Sequence, residues 1–300
     1  MKILITGGNG MVGRHLTKLL LNEGHEVGWL VRNTGKESGV RYFLWNVERG
    51  ELDKNSIEWA EALIHLAGAP VADQRWSAQR KQEIIDSRVK SSALLAKAFR
   101  SSTTYPKIIV GASGTGYYGS INSDRVFVES DPPYTDFLAE CCKLWEQGER
   151  TLVRDDARLV ILRIGVVLSN AGGALSKLVT PVKLFAGAPL GTGKQIMKWI
   201  HIDDLCAVIM KSIMDPSMHG VYNATAPDNI TAKEFTKAIG RVIHRPVFLP
   251  AIPTFLMKLM LGEMHVIVTT GSSISSEKLL ASGFTFQYPR VEEALKDLLK

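Results

Sequence analysis

The chain has 300 residues, 45% hydrophobic and 22% charged, enough to bury a sizeable core without staples. Its net charge of +6 is spread along the chain, so no Lys/Arg run argues for nucleic acid. Its three cysteines form neither a disulfide framework nor a metal-ligand spacing, and no stretch reaches the ~18 apolar residues of a membrane span, which points to the cytoplasm and to no resident metal.

The first segment, "KILIT", reads as a buried strand, and "MVGRHLTKLLLNEG" as a helix ending at Gly24. "EVGWLVR", "RYFLW" and "ALIHLAG" read as the second, third and fourth strands. A helix over about Ser77 to Arg100 precedes the fifth strand, "KIIVGAS". Another, from about Asp136 to Arg154, precedes the sixth, "RLVILRIG". Continuous apolar strands alternating with helices specify an α/β fold, a doubly wound parallel sheet covered on both faces. After Gly165 the rhythm breaks. "WIHIDDLCAVIMKSIM" reads as a short strand and a helix capped by Asp203 or Asp204, "GVYNATA" as a further strand, and Thr231 to Glu234 as a capping box. The expected division is 1–168, with 199–226 returning to it, and a smaller mixed unit over 169–198 and 227–300. The Met- and Leu-rich stretch Phe255 to Met264 is expected in the core or at a dimer contact.

The chemistry begins at the first strand–helix junction. Thr6, Gly7, Gly8, Asn9, Gly10, Met11, Val12 and Gly13 follow a strand and open a helix. In that position Gly7 allows the turn, Gly10 lets a pyrophosphate approach the backbone, and Gly13 lets the helix pack close to the sheet. Free N–H groups and the helix dipole at Met11 and Val12 favour the phosphates. NAD binders carry an acid at the end of the second strand, about 20 residues on. Here Arg32 stands there, with no Asp or Glu between Val27 and Lys36. A guanidinium suits a 2′-phosphate, so NADP is expected over NAD, with Arg14 assisting.

"TGGNGMVG", "HLAG" (His65 to Gly68), "ASGTGYYG", "LRIGVVL" and "WIHIDDL" come in the order of the extended short-chain dehydrogenases/reductases. "DFLAECCKLWE" and the tail "SEKLLASGFTFQYP" resemble more specifically their atypical branch, the YfcH-like "epimerase family" proteins. The resemblance covers essentially the whole chain. It implies a Rossmann domain with a smaller C-terminal substrate domain, with Leu66, Ala67 and Gly68 lining the cofactor. It places an active-site Ser or Thr at the end of the fifth strand, which reads here as Ser113. The superfamily often forms homodimers.

One part of the pattern is missing. The superfamily's chemistry is usually carried by a Tyr and a Lys four residues later, and no tyrosine in this chain has a lysine at that spacing. With Glu146 as anchor, Cys142 stands where the lysine would align, and Lys143 lies about 100° away on the helix. Ser113, Tyr117 and Tyr118 remain as candidates for the acid/base. "GTGKQ" lacks the first Gly and the final Ser/Thr of a phosphate loop, so Lys194, Gln195 and Trp199 are read as a mobile loop over a substrate cleft. The expected function is that of an NADP(H)-dependent oxidoreductase or epimerase-like enzyme acting on a small hydroxyl- or carbonyl-bearing molecule. The alternative is an NADP-binding sensor without turnover.

Overall fold

A computed structural model describes residues 1–154 and 156–300. Strand β1 (Lys2–Thr6) runs into helix α1 (Met11–Asn22), followed by β2 (Glu26–Val31), β3 (Val40–Asn46), the two-residue β4 (Glu51–Leu52) and α2 (Asn55–Trp59). Then come β5 (Ala62–His65), α3 (Ala78–Ser101), β6 (Ile108–Gly114), a 3₁₀ turn (Thr115–Tyr118), β7 (Val126–Phe127), α4 (Phe137–Arg150) and β8 (Arg158–Ile164). The second half holds β9 (Val166–Leu168), α5 (Ala174–Lys183), β10 (Ile196–Met197), β11 (Trp199–His201), α6 (Ile202–Met214), β12 (Gly220–Ala224), β13 (Ile230–Thr231) and α7 (Ala232–Val242). Helices α8 (Thr254–Leu261), α9 (Val266–Thr269), α10 (Glu277–Ala281) and α11 (Val291–Leu298), with β14 (Ser273–Ile274) between α9 and α10, complete the chain.

The main sheet has eight strands in the order β12-β8-β6-β5-β1-β2-β3-β4. All its pairs are parallel except β3 with β4. The order reverses between β1 and β5, and the crevice beyond the carboxyl ends of those strands is where such sheets bind ligands. Register fixes that edge: Thr6 lies beside both Leu30 and His65, and His65 beside Gly111.

Both faces of the sheet are covered. Ile3, Ile5, Trp29 and Ile64 pack with Leu16 of α1 and Leu205 and Ile209 of α6. Leu4, Leu30 and Leu63 pack with Leu95 and Phe99 of α3. A third apolar cluster joins Leu175, Val179, Trp199, Phe235 and Leu295, from α5, β11, α7 and α11.

Two local expectations change. Helix α4 stops at Arg150, followed by Thr151 as its cap. Helix α6 is capped by His201, whose side chain accepts the Asp203 N–H, and not by Asp203 or Asp204. The Asp204 carboxylate instead accepts the N–H groups of Gln287 and Tyr288, at 2.7 and 3.0 Å, which ties the C-terminal segment to α6. In the Met- and Leu-rich stretch Met257 and Met264 are buried, whereas Phe255, Leu259 and Met260 of α8 are 69%, 75% and 60% exposed. The α8 sequence is apolar nearly all round and only Met257 turns inward, so one packed face leaves the rest uncovered. The Thr231–Glu234 capping box forms as the sequence indicates.

Candidate cofactor and active site

The glycine loop turns sharply after β1. Gly7 takes φ +71°, and a Cβ there would fall 3.0 Å from the Leu66 backbone of the neighbouring strand end. A Cβ on Gly13 would lie 2.5 Å from Gly7 O, so α1 seats directly on the loop. At Gly10 the only neighbour within reach is Gly7 O, at 3.2 Å, so the cleft side of this residue is bare backbone. Gly10 is also the N-cap of α1, with no side-chain cap and no acid in the first turn. The first donors of α1, at Met11 and Val12, therefore face the crevice uncompensated, as an anion site needs. Gly8, which the sequence gives no role, is as tightly enclosed as Gly13: a Cβ there would fall 2.5 Å from the Trp29 indole. The residues fit a pyrophosphate cradle.

Arg32, just beyond β2, is exposed and makes no hydrogen bond or ion pair among the described residues. Arg14 is engaged, donating from Nε to Asn9 O at 3.0 Å and from Nη1 to Glu37 Oε2 at 3.1 Å. At the other end of the crevice, buried Thr6 accepts the Ala67 N–H through its hydroxyl, at 3.2 Å, and so locks the "HLAG" backbone to β1. Leu66 and Ala67 are half-buried, and Gly68 is exposed.

Gly68 is bare because a guanidinium lies against it. A Cβ there would be 2.9 Å from Cζ of Arg88, a residue of α3 absent from the sequence-level candidates. Arg88 Nη1 donates to Ile84 O at 2.8 Å and Ala69 O at 3.1 Å, and the group stacks 4.6 Å from the Trp145 ring of α4. Its Nε and Nη2 make no hydrogen bond among the described residues. Burial lowers its pKa, while the thiols of Cys141 and Cys142 are its electrostatic neighbours. A cation thus stands beside Cys142, the position where the lysine would align. Behind it, His65 Nδ1 meets Glu149 Oε1 at 2.6 Å, and Glu149 also accepts from Trp145 Nε1 and Ser92 Oγ, which fastens α4 and α3 to β5.

The end of β6 carries the acid/base candidates. Ser113 is buried, and its hydroxyl donates to Glu146 Oε1 at 3.0 Å. Glu146 is held in a fork by Arg163, from Nε at 2.7 Å and Nη2 at 3.0 Å. Tyr118 is buried too; its hydroxyl donates to Asn223 Oδ1 at 2.7 Å and accepts from Arg163 Nη1 at 2.8 Å. Burial pushes its pKa up to about 12. Tyr117 differs: it is half-buried, its ring lies 3.4 Å from the Arg163 guanidinium, and its hydroxyl has no partner among the described residues. The Thr115 hydroxyl, on the same 3₁₀ turn, is equally unengaged.

The "GTGKQ" loop is pinned. Gln195 is buried and donates to Leu190 O and Val268 O, at 2.8 and 2.7 Å, and Trp199 is core. Thr192 and Lys194 are exposed. His201, Asp203 and Asp297 bring three ligand-type atoms within 4.8 Å of one another. They do not build a cation site, because His201 Nδ1 accepts the Asp203 N–H and so leaves the ring proton on Nε2, 3.4 Å from Asp297 Oδ2.

A model of the NAD dependent epimerase/dehydratase family matches residues 3–224. The chain belongs to that family. A second model, a domain of unknown function (DUF1731), matches residues 252–298, from the start of α8 through α11. Among members of known sequence, "Epimerase family protein SDR39U1 homolog, chloroplastic" of Arabidopsis thaliana is 35% identical over all of this chain and 87% of its own length. "Epimerase family protein YfhF" of Bacillus subtilis is 34% identical over all of this chain and 98% of its own. The crystal structure of human epimerase family protein SDR39U1 with NADPH superposes with a TM-score of 0.89 at 31% identity, covering 99% of each chain. The epimerase/dehydratase match spans every strand of the main sheet and ends at the last residue of β12. No helix among the described residues is long and apolar enough to cross a membrane.

Proposed function

We propose that this chain is an NADP(H)-dependent oxidoreductase or epimerase-like enzyme that acts on a small hydroxyl- or carbonyl-bearing substrate. The observation that carries the reading is the uncapped start of α1 at the bare backbone of Gly10, together with Arg32 beyond β2, unpartnered among the described residues. The NADPH in the human SDR39U1 crystal supports it from outside. When bound, the nicotinamide supplies or accepts the hydride. Thr6, Gly7, Gly10, Met11, Val12 and Gly13 would cradle the pyrophosphate, and Arg32 would select the 2′-phosphate. Leu66, Ala67, Gly68 and Arg88 would form the wall at the nicotinamide end. Arg88 offers the free N–H groups of Nε and Nη2 there, so it would orient ribose or substrate oxygens. Tyr117 is the favoured proton donor, because its hydroxyl is unspent. Ser113 and Tyr118 would hold the floor beneath it through Glu146 and Arg163. The substrate would lie between 1–168 with 199–226 and the smaller unit 169–198 with 227–300. A cytoplasmic homodimer is the expected setting, and the buried free thiols suit a reducing compartment.

Titration of wild type and Arg32→Ala with NADPH and NADH tests the reading. NADPH binds wild type more tightly, and Arg32→Ala removes roughly ten- to a hundredfold of that affinity, the worth of one charge-assisted contact. If neither cofactor binds at millimolar concentration, the oxidoreductase reading fails. A non-catalytic NADP sensor is the second reading, favoured by Cys142 at the lysine position. Tight NADPH binding with no oxidation across a broad carbonyl panel selects it.

A further inference from the structure

We propose that Glu37 is a cofactor-specificity residue, a carboxylate that competes with the 2′-phosphate for Arg14 and keeps NADH competitive at this site. This rests on the cofactor reading above and concerns its adenosine end. Glu37 stands five residues after Arg32, outside the window in which an acid would be sought from sequence. The fold brings it back. Its backbone N–H donates to Tyr42 Oη at 2.7 Å, and the Tyr42 ring meets Trp29 edge-on, with centroids 6.0 Å apart. Trp29 in turn abuts Gly8 of the glycine loop. Gly35 makes the return possible, since a Cβ there would lie 2.9 Å from that same tyrosine hydroxyl. The acid is therefore positioned by β2 and β3, rather than hanging in a free loop.

From that position Glu37 Oε2 takes Arg14 Nη1 at 3.1 Å, while Arg14 Nε is held by Asn9 O. Arg14 sits in the first turn of α1 against the glycine loop, and Arg32, one residue beyond β2, is unpartnered among the described residues. The pair is open to solvent on the Arg14 side, with side chains 55% and 28% accessible, so separating it costs little. A dianionic 2′-phosphate arriving at the two arginines must share Arg14 with a carboxylate at contact range. Like charges there weaken its binding, whereas the uncharged 2′-hydroxyl of NADH meets no such repulsion.

The test is titration of wild type and Glu37→Gln with NADPH, NADH and 2′,5′-ADP, with thermal melting as the folding control. Glu37→Gln tightens NADPH and 2′,5′-ADP about five- to tenfold and leaves NADH within about twofold, as expected for one like-charge contact removed in a solvent-rich site. If the NADPH-to-NADH ratio is unchanged or falls, Glu37 only braces Arg14 and the proposal is overturned. If Glu37→Gln is neutral while Arg32→Ala still abolishes NADPH preference, the cofactor reading stands without it. If wild type binds none of the three ligands, the cofactor reading itself has failed.

Discussion

The Trp29 indole occupies the space that a side chain at Gly8 would need, with three ring atoms 2.5 Å from the position of a Cβ there. The indole is not free to withdraw. Its Nε1 donates to Thr17 Oγ1 at 2.9 Å, and that hydroxyl donates to Gly13 O at 2.7 Å. One chain of contacts thus joins β2, the glycine loop and α1. Gly8→Ala overpacks it, at a cost of about 1–3 kcal/mol. Urea unfolding measures that loss, and Trp29→Leu in the same chain returns part of it. A Gly8→Ala variant as stable as wild type, with NADPH affinity intact, removes the indole from its assigned role.

Arg88 answers a different question, whether a cation at the nicotinamide end replaces the missing lysine. Arg88→Met keeps much of the aliphatic stem against Trp145 and removes the unspent N–H groups of Nε and Nη2. The variant is expected to weaken NADPH about tenfold, while 2′,5′-ADP, which ends before the nicotinamide, binds within about twofold of wild type. Equal loss of both ligands means that Arg88 acts only by holding Gly68 and α3 in place.

Beneath Tyr117, Glu146 and Arg163 form a buried pair with side chains 4% and 3% accessible. Breaking such a pair from one side strands a charge, at about 3–5 kcal/mol. Glu146→Leu is therefore expected to destabilise strongly, and Glu146→Leu with Arg163→Met much less. Chemical denaturation of the two variants and wild type decides it, and additive losses would show that the fork is not a unit.

The strands and the glycine loop were legible because their signals are local: an apolar run, a turn of glycines, a helix start. The parallel order followed from alternation and right-handed crossovers. Arg88 was not legible, since only the packing of α3 over β5 brings its head to Gly68. Glu37 was missed for the reverse reason: it is near Arg32 in sequence, but Tyr42 decides where the loop sends it. The resemblance points to Ser113 by its place at the end of the fifth strand, and the loop to Tyr118 by residue type, but neither signal tells of partners already taken, here Glu146 and Asn223. The α6 cap was misassigned because Asp outranks His in general preference. Here the helix begins at Ile202, so His201 is the residue at the cap, and Asp203 and Asp204 fall inside the first turn, where they meet His15 at 2.6 Å and the N–H groups of Gln287 and Tyr288.

That cap gives the fold a pH dependence of definite sign. Burial holds the His201 imidazole below its ordinary value of 6.5, against the pull of Asp203 and Asp297. Well above pH 6.5 both folded and unfolded chains carry it neutral, and it adds no slope. As the pH falls through that value, the unfolded chain takes up a proton that the folded chain resists, so stability declines until the folded-state value is passed. Protonation also costs the cap directly, because Nδ1 can no longer accept the Asp203 N–H. His201→Asn retains a side-chain acceptor at the N-cap and removes the titration. Between pH 7 and pH 5 the melting temperature of wild type is expected to fall more than that of His201→Asn. Parallel curves would mean that His201 protonates as easily in the folded chain as in the unfolded one.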